Sequence, residues 1–217
     1  MWQKGRQCIE ALKSVWSAVR RSDGRPAVSH GVACFTLMAT LYSVGAYAGE
    51  RYRIDAQHTF SSFEYEHWGL SLQRGRFDGN AGLIDFDAPA KSGEIEIQID
   101  AASVNTGSGV FDRVLRSAEF FDVANFPTIG FKSTALRFDG ERLAQVDGIL
   151  TIKGIARSVT LQMTRFDCRF MILYGKRACG ANGFAKLSRS DFELGRYVPF
   201  VSDAITLYIS VEAIREE

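Results

Sequence analysis

From Glu50 onward, apolar and polar residues alternate over runs that suit only extended chain. Ile95, Ile97 and Ile99 are interleaved with Glu94, Glu96, Gln98 and Asp100. Val159, Leu161 and Met163 alternate with Thr160 and Gln162, and Ile205, Leu207, Ile209 and Val211 alternate with Thr206, Tyr208, Ser210 and Glu212. A period of two sends successive side chains to opposite faces, so these are antiparallel strands with one dry and one wet face. Asp78-Gly79-Asn80, Asp139-Gly140 and Lys153-Gly154 mark turns. The pattern predicts strands over 59–67, 74–86, 92–100, 127–138, 142–152, 157–170, 178–190 and 203–213. Eight such strands bury their apolar face either as a sandwich or as a closed barrel, and alternation alone does not choose.

One long stretch breaks the pattern, Thr106 to Phe131. Val110, Phe111, Val114, Leu115, Ala118 and Phe121 fall at the offsets of a short amphipathic helix. Asp112 stands in its first turn, where a carboxylate suits the positive end of the helix dipole, and Arg113 and Arg116 follow. Phe120, Phe121, Phe126 and Phe131 come next, with Pro127 ending any helix. Such a cluster is either plain core or a lid over a cavity; composition is the same for both.

This stretch carries a resemblance. Thr106-Gly107, Asp112, Leu115-Arg116-Ser117, Phe120-Phe121-Asp122, Pro127 and Phe131-Lys132-Ser133 resemble the central signature of the YceI-like family. Outside it, Ile54-Asp55 with His58, Phe63-x-Tyr65-x-His67 and Gly75-x-Phe77 fit the same pattern. So do Gly148-x-Leu150-Thr151-Ile152-x-Gly154 and Arg189-Ser190-Asp191-Phe192. The resemblance runs from about Tyr52 to Ala213. It implies an all-β, eight-stranded antiparallel lipocalin-like barrel with a short helical lid, found in secreted or periplasmic polyisoprenoid-binding proteins. There is one departure: the family carries an Arg just before the aspartate and a His two residues after it, where this chain has Phe111 and Val114.

On the barrel reading, Phe63, Tyr65 and His67 share an inward face, and Gly75, Phe77 and Gly79 share the next, where small residues would leave space. Phe131, Leu150, Leu161 and Leu207 continue an apolar lining, with Ile152, Met163, Leu187, Ile205 and Ile209 beside them. Phe120, Phe121 and Phe126 would cover the mouth, Leu115 and Phe192 join the ligand-binding set, and Arg116, Arg189 and His67 are candidates for the polar end of a ligand. The bland reading is a solid barrel filled by ordinary core residues. A tail of about 40 carbons at about −0.3 kcal/mol per heavy atom could reach about −12 kcal/mol, which is nanomolar binding.

Residues 1–48 differ from the rest. Six basic residues precede an apolar run from Gly31 to Tyr47, and Ala46-Tyr47-Ala48 fits the small-x-small rule, so the expectation is a signal peptide cleaved after Ala48 and a barrel domain over 49–217. An uncleaved anchor helix is the alternative, although the run is short for a span of about 20 residues. Without the leader, 20 Lys and Arg face 23 Asp and Glu, a net charge near −3 with no basic block, which disfavours nucleic acid. Cys168 and Cys179 remain, an even pair that reads as a disulfide across a hairpin turning near Gly175. Two cysteines alone do not make a zinc site.

Catalytic signals are weak. There is no G-x-S-x-G elbow and no H-E-x-x-H motif. His58 and His67 read as hydrogen-bonded barrel residues, and Asp191 beside Arg189 reads as an ion pair. The expectation is therefore not an enzyme, with no cofactor beyond a bound isoprenoid lipid or quinone. The expected setting is the periplasm, with transient inner-membrane contact and homodimerisation open. The rival reading is an interaction module assisting a membrane electron-transfer complex without bulk lipid transport.

Overall fold

The computed structural model describes residues 49–217, so the expected signal peptide and its cleavage point lie outside the described residues. Within them run β1 (Glu50–Ile54), β2 (Phe60–His67), β3 (Ser71–Phe77), β4 (Asn80–Asp87), β5 (Ser92–Asp100) and β6 (Val104–Asn105). A single α-helix, α1 (Gly109–Arg116), follows. Then come β7 (Thr128–Asp139), β8 (Arg142–Ile152), β9 (Ile155–Met171), β10 (Lys176–Ser188) and β11 (Val201–Arg215), with 3-10 turns at Ala101–Ser103 and Arg189–Phe192. Among the described residues no helix is long and apolar enough to cross a membrane.

All pairings are antiparallel, and the sheet closes in the order β1-β4-β5-β7-β8-β9-β10-β11 and back to β1. That is an eight-stranded barrel. The same count emerges from the chain path. One edge of β11 pairs with β2 over Val201–Ser210 and then with β1 over Ala213–Arg215. β1 and β2 are thus two halves of one bent strand. β3 and β4 are the halves of its partner, and β6 extends β5 alongside β3. The expected strand over 74–86 is this bent strand, read through its corner; β1 was missing from the expectation.

The corner has a specific cause. Where the ladder breaks, backbone groups would be left without partners. Asn80, almost fully buried, fills the gap: its Nδ2 donates to Thr59 O at 3.1 Å and Phe77 O at 2.9 Å, and its Oδ1 accepts from Ser61 Oγ at 2.7 Å. Thr59 Oγ1 donates to Glu212 O and accepts from Glu212 N–H on the facing strand. Gly79 sits in this corner, where an added Cβ would stand 3.0 Å from Asp100 Cβ, and so is no part of the lumen face.

Chain direction sorts the loops to two ends. The β2–β3 and β8–β9 turns, α1 and the 193–200 loop lie at one end. The turns at 88–91, 140–141 and 172–175 lie at the other. At that far end β9 and β10 project as a hairpin. Cys168 faces Cys179 in register and is bonded to it (S–S 2.05 Å), and Gly175 turns the chain with φ 62°. The hairpin leaves Phe170, Ile172 and Leu173 exposed.

Candidate functional site

The apolar faces of the strands meet around an internal cavity of about 680 Å³. Small-ligand sites span about 300–1,000 Å³, so this is room for one sizeable guest. Its depth follows from β11, where Val201, Ile205, Leu207, Ile209 and Val211 all line it. At about 3.3 Å per residue that run covers about 33 Å of strand, or about 25 Å along the axis of a barrel tilted by about 40°. Tyr52, Phe86, Phe166, Cys179 and Gly180 close the far end.

Two glycines permit this wall. Phe63 lies opposite Gly75 in the β2–β3 register, and a Cβ on Gly75 would fall 2.4 Å from the Phe63 ring. Gly148 accommodates the Phe131 ring in the same way, also at 2.4 Å. The missing side chains let both rings lie flat over the neighbouring strand, so Gly75 makes room for a ring and adds no space to the lumen. Phe77 packs against Phe63 at 5.9 Å and edge-on to Phe121 at 5.3 Å, joining barrel wall to lid.

Of the residues singled out in the sequence, Phe63, Tyr65, His67, Phe77, Phe131, Leu150, Leu161 and Leu207 line the cavity. So do Leu115, Phe120, Phe121, Phe192 and Arg189 at its lidded end. Two stand apart. Phe126 lies against Gly154 in the β8–β9 turn, where an added Cβ would come within 3.4 Å of its ring. Arg116 turns away from the cavity, and its Nη2 donates to Val104 O at 2.8 Å, while its Nε is buried without a partner.

Arg189 reaches the wall but is already committed. Its Nε and Nη2 donate to Ser202 O and Val201 O at 2.8 Å, and Nη1 donates to Leu194 O. Burial pulls its pKa down, against the opposing pull of Asp203 and Tyr65. The expected Arg189–Asp191 ion pair does not form; Asp203 is the nearby acid, and it accepts from Ser190 N–H and Oγ–H. Arg189 therefore fastens the 193–202 segment to the barrel. Burial raises the pKa of Tyr65, with Arg189 countering it, and that of Tyr52 is pushed up to about 12 by burial and a hydrogen bond to Glu50. Both phenols are neutral donors across the physiological range.

The helix turns its acid in and part of its apolar face out. Asp112 points inward, and its Oδ1 accepts from both Thr106 N–H and Thr106 Oγ–H at 2.8 Å. Burial alone would raise its pKa, but these bonds and the Arg116 charge hold it below the usual carboxylate value. With the carboxylate turned in, Val110, Phe111 and Val114 turn outward. Phe111 and Val114 rim the cavity mouth.

Sequence reasoning missed the rest of the rim. Trp68 stacks on Phe200 at 4.4 Å and donates its backbone N–H to Phe200 O, and Tyr197 meets Phe120 at 6.1 Å. Arg196 lies 5.0 Å over the Tyr197 ring and bonds Glu119 at 3.0 Å. The signal was available: Arg196-Tyr197-Val198-Pro199-Phe200 is a strongly apolar loop between two strands, and loops carry function. Elsewhere, Asp55, His58 and Glu212 bring three ligating groups within 4.8 Å of one another, but the geometry is that of a capped turn. His58 Nδ1 bonds Asp55 Oδ2 at 2.7 Å, and Asp55 Oδ1 accepts from Gln57 N–H.

Comparison with known proteins agrees with this architecture. The model of the YceI-like domain matches residues 52–213. Protein YceI of Salmonella arizonae is 33% identical over 186 residues, covering 84% of this chain and 96% of its own. A YceI protein of Campylobacter jejuni superposes with a TM-score of 0.62 at 27% identity, covering 70% of this chain and 90% of the other. A polyisoprenoid-binding domain from Saccharophagus degradans, implicated in plant cell wall breakdown, shares the fold at 18% identity (TM-score 0.58, 76% and 98% covered).

Proposed function

The chain belongs to the YceI-like domain family, and on that premise we propose that it binds one amphipathic isoprenoid lipid, tail first, inside the barrel. The observation that carries this is the cavity itself, about 680 Å³ and lined mostly by apolar side chains from the rim to the disulfide at its far end. A guest that fills it must be long, slender and almost wholly apolar. The polyisoprenoid-binding neighbour from Saccharophagus degradans supports the same class of ligand.

The polar end of the site favours an uncharged head group such as a quinone or a polyprenyl alcohol. Arg189 spends its guanidinium on three carbonyls, Arg116 faces elsewhere and Arg196 at the rim is paired with Glu119, so none of them offers the free two-pronged grip that holds a phosphate. Tyr65, His67 and Gln73 remain on the wall as hydrogen-bonding groups. The role is that of a binding protein, storing, ferrying or sensing its lipid in the periplasm after export, with transient contact at the inner membrane.

The test is to purify the exported protein, extract it into organic solvent and weigh the lipids. A neutral lipid whose homologues differ by whole isoprene units is the expected result. Straight-chain fatty acids alone would overturn the ligand class, a polyprenyl diphosphate would overturn the head-group reading, and a lipid-free barrel that refuses added polyprenol would favour the interaction module.

A further inference from the structure

Leu70, Leu72 and Val110 are 84%, 60% and 59% exposed, yet none of them lines the cavity. Access to the lumen does not explain them. They flank the residues that do form its mouth: Leu70 and Leu72 sit in and beside the turn that carries Trp68, and Val110 adjoins Phe111 on α1. With Trp68, Phe111, Val114, Tyr197 and Phe200 they concentrate large exposed apolar side chains at this end of the barrel, more than scattered single residues would give. The aromatic ones include Trp68 and Tyr197, side chains that suit the boundary between water and hydrocarbon.

The charges around this surface are mixed: Glu66, beside the turn that carries Trp68, and Asp191 and Glu193, before the 194–200 segment, are exposed at the same end as Arg113. Asp112, the acid of α1, is buried against Thr106, so the outward face of the helix carries Arg113 and no carboxylate. Glu119, just beyond, is engaged by Arg196. An apolar face with an aromatic collar that opens directly onto an apolar cavity fits the head-group boundary of a bilayer.

We infer that the protein docks mouth-first on a lipid bilayer, with Leu70, Leu72 and Val110 entering the head-group boundary around the opening. The choice of partner rests on the lipid reading of the cavity. Docking this way lets a tail pass from bilayer to lumen along Trp68, Phe111, Val114 and Phe200, each both exposed and part of the wall, without crossing water.

Flotation of the mature protein with vesicles of phosphatidylethanolamine and phosphatidylglycerol, free of isoprenoids, tests this. Wild type should float. The triple variant Leu70→Glu, Leu72→Glu, Val110→Glu should lose at least tenfold in the floating fraction, while keeping its melting curve and its uptake of detergent-dispersed polyprenol. A wild type that stays in solution overturns the proposal, as does a triple variant that floats equally well. So does flotation lost only with Ile172→Ser and Leu173→Ser at the opposite end, or a patch that instead joins two copies, seen as a concentration-dependent dimer abolished by the triple variant. Uptake without flotation would sink docking alone; flotation of a protein that takes no isoprenoid would sink the ligand reading alone.

Discussion

Glu119 and Arg196 meet at 3.0 Å across the mouth of the barrel, tying the segment after α1 to the loop before β11. Both side chains are about half exposed, and such pairs contribute only about 0–1 kcal/mol to folding. Their position matters more than their strength. Arg196→Ala should leave the melting temperature nearly unchanged but speed release of bound lipid, because contacts holding a lid shut appear in the off-rate. Stopped-flow transfer of a fluorescent polyprenol to acceptor vesicles measures it; an unchanged off-rate would remove the latch from the account.

Phe121 belongs to both lid and wall. It packs edge-on to Phe77 and faces the lumen. A fully packed Phe loses about 3–5 kcal/mol on truncation to Ala. Phe121→Ala should cost less than that in delipidated protein, since part of its surface meets open cavity. Because ligand binding stabilises by mass action, wild type should lose more melting temperature on delipidation than the variant does. Equal losses would return Phe121 to plain core.

Gly75→Ala should swing the Phe63 ring into the lumen, since the new Cβ would occupy the place of the ring's edge. Overpacking of this kind costs about 1–3 kcal/mol. Polyprenol capacity should fall in the same variant, and titration of the purified protein would detect it. Full capacity with lowered stability would mean that the ring moves elsewhere.

Reducing the Cys168–Cys179 bond, or changing either residue to Ser, should lower stability by about 3 kcal/mol, the loop-closure value for so short a ring. The barrel should stay folded, because β9 and β10 remain joined by main-chain pairing along their length and closure between β1 and β11 does not depend on the bond. Far-ultraviolet circular dichroism with melting curves distinguishes loss of the staple from loss of the fold.

Asp55 and His58 predict a pH window. The hydrogen bond to Asp55, then its charge, raises the His58 pKa above 6.5, and the hydrogen bond from His58 is the main cause lowering the Asp55 pKa below 3.8. The raised histidine stabilises fully below 6.5 and loses its contribution as pH rises through its folded value. The lowered aspartate stabilises above 3.8 and loses its contribution as pH falls through its own folded value. The pair therefore helps most between these two ordinary values. In Asp55→Asn the His58 ring should titrate closer to 6.5 by NMR; no change would mean the turn holds without the charge.

How much of this was legible varies by element. The strands were readable because period-two alternation is local, and the β9–β10 hairpin because two cysteines flank a central glycine. The lid segment was found by its break in pattern. The direction α1 faces was not legible: its apolar offsets marked an amphipathic helix, but the hydrogen bonds from Thr106 that draw Asp112 inward leave no trace in that spacing. β1 was overlooked because five residues are too few for a periodic signal.

Alternation, turn residues and the cysteine pair determined by themselves that this chain makes about eight antiparallel strands with one dry face. Their information lies within a few neighbouring residues, where side-chain direction depends on backbone geometry alone. Only the tertiary structure decided that β1 and β2 share one edge of β11, that Asn80 satisfies the corner, and that Arg116 and Arg189 serve main-chain carbonyls. Those outcomes depend on which backbone groups are left without partners when strands end and the barrel closes. That is a non-local accounting, and no stretch of sequence contains it.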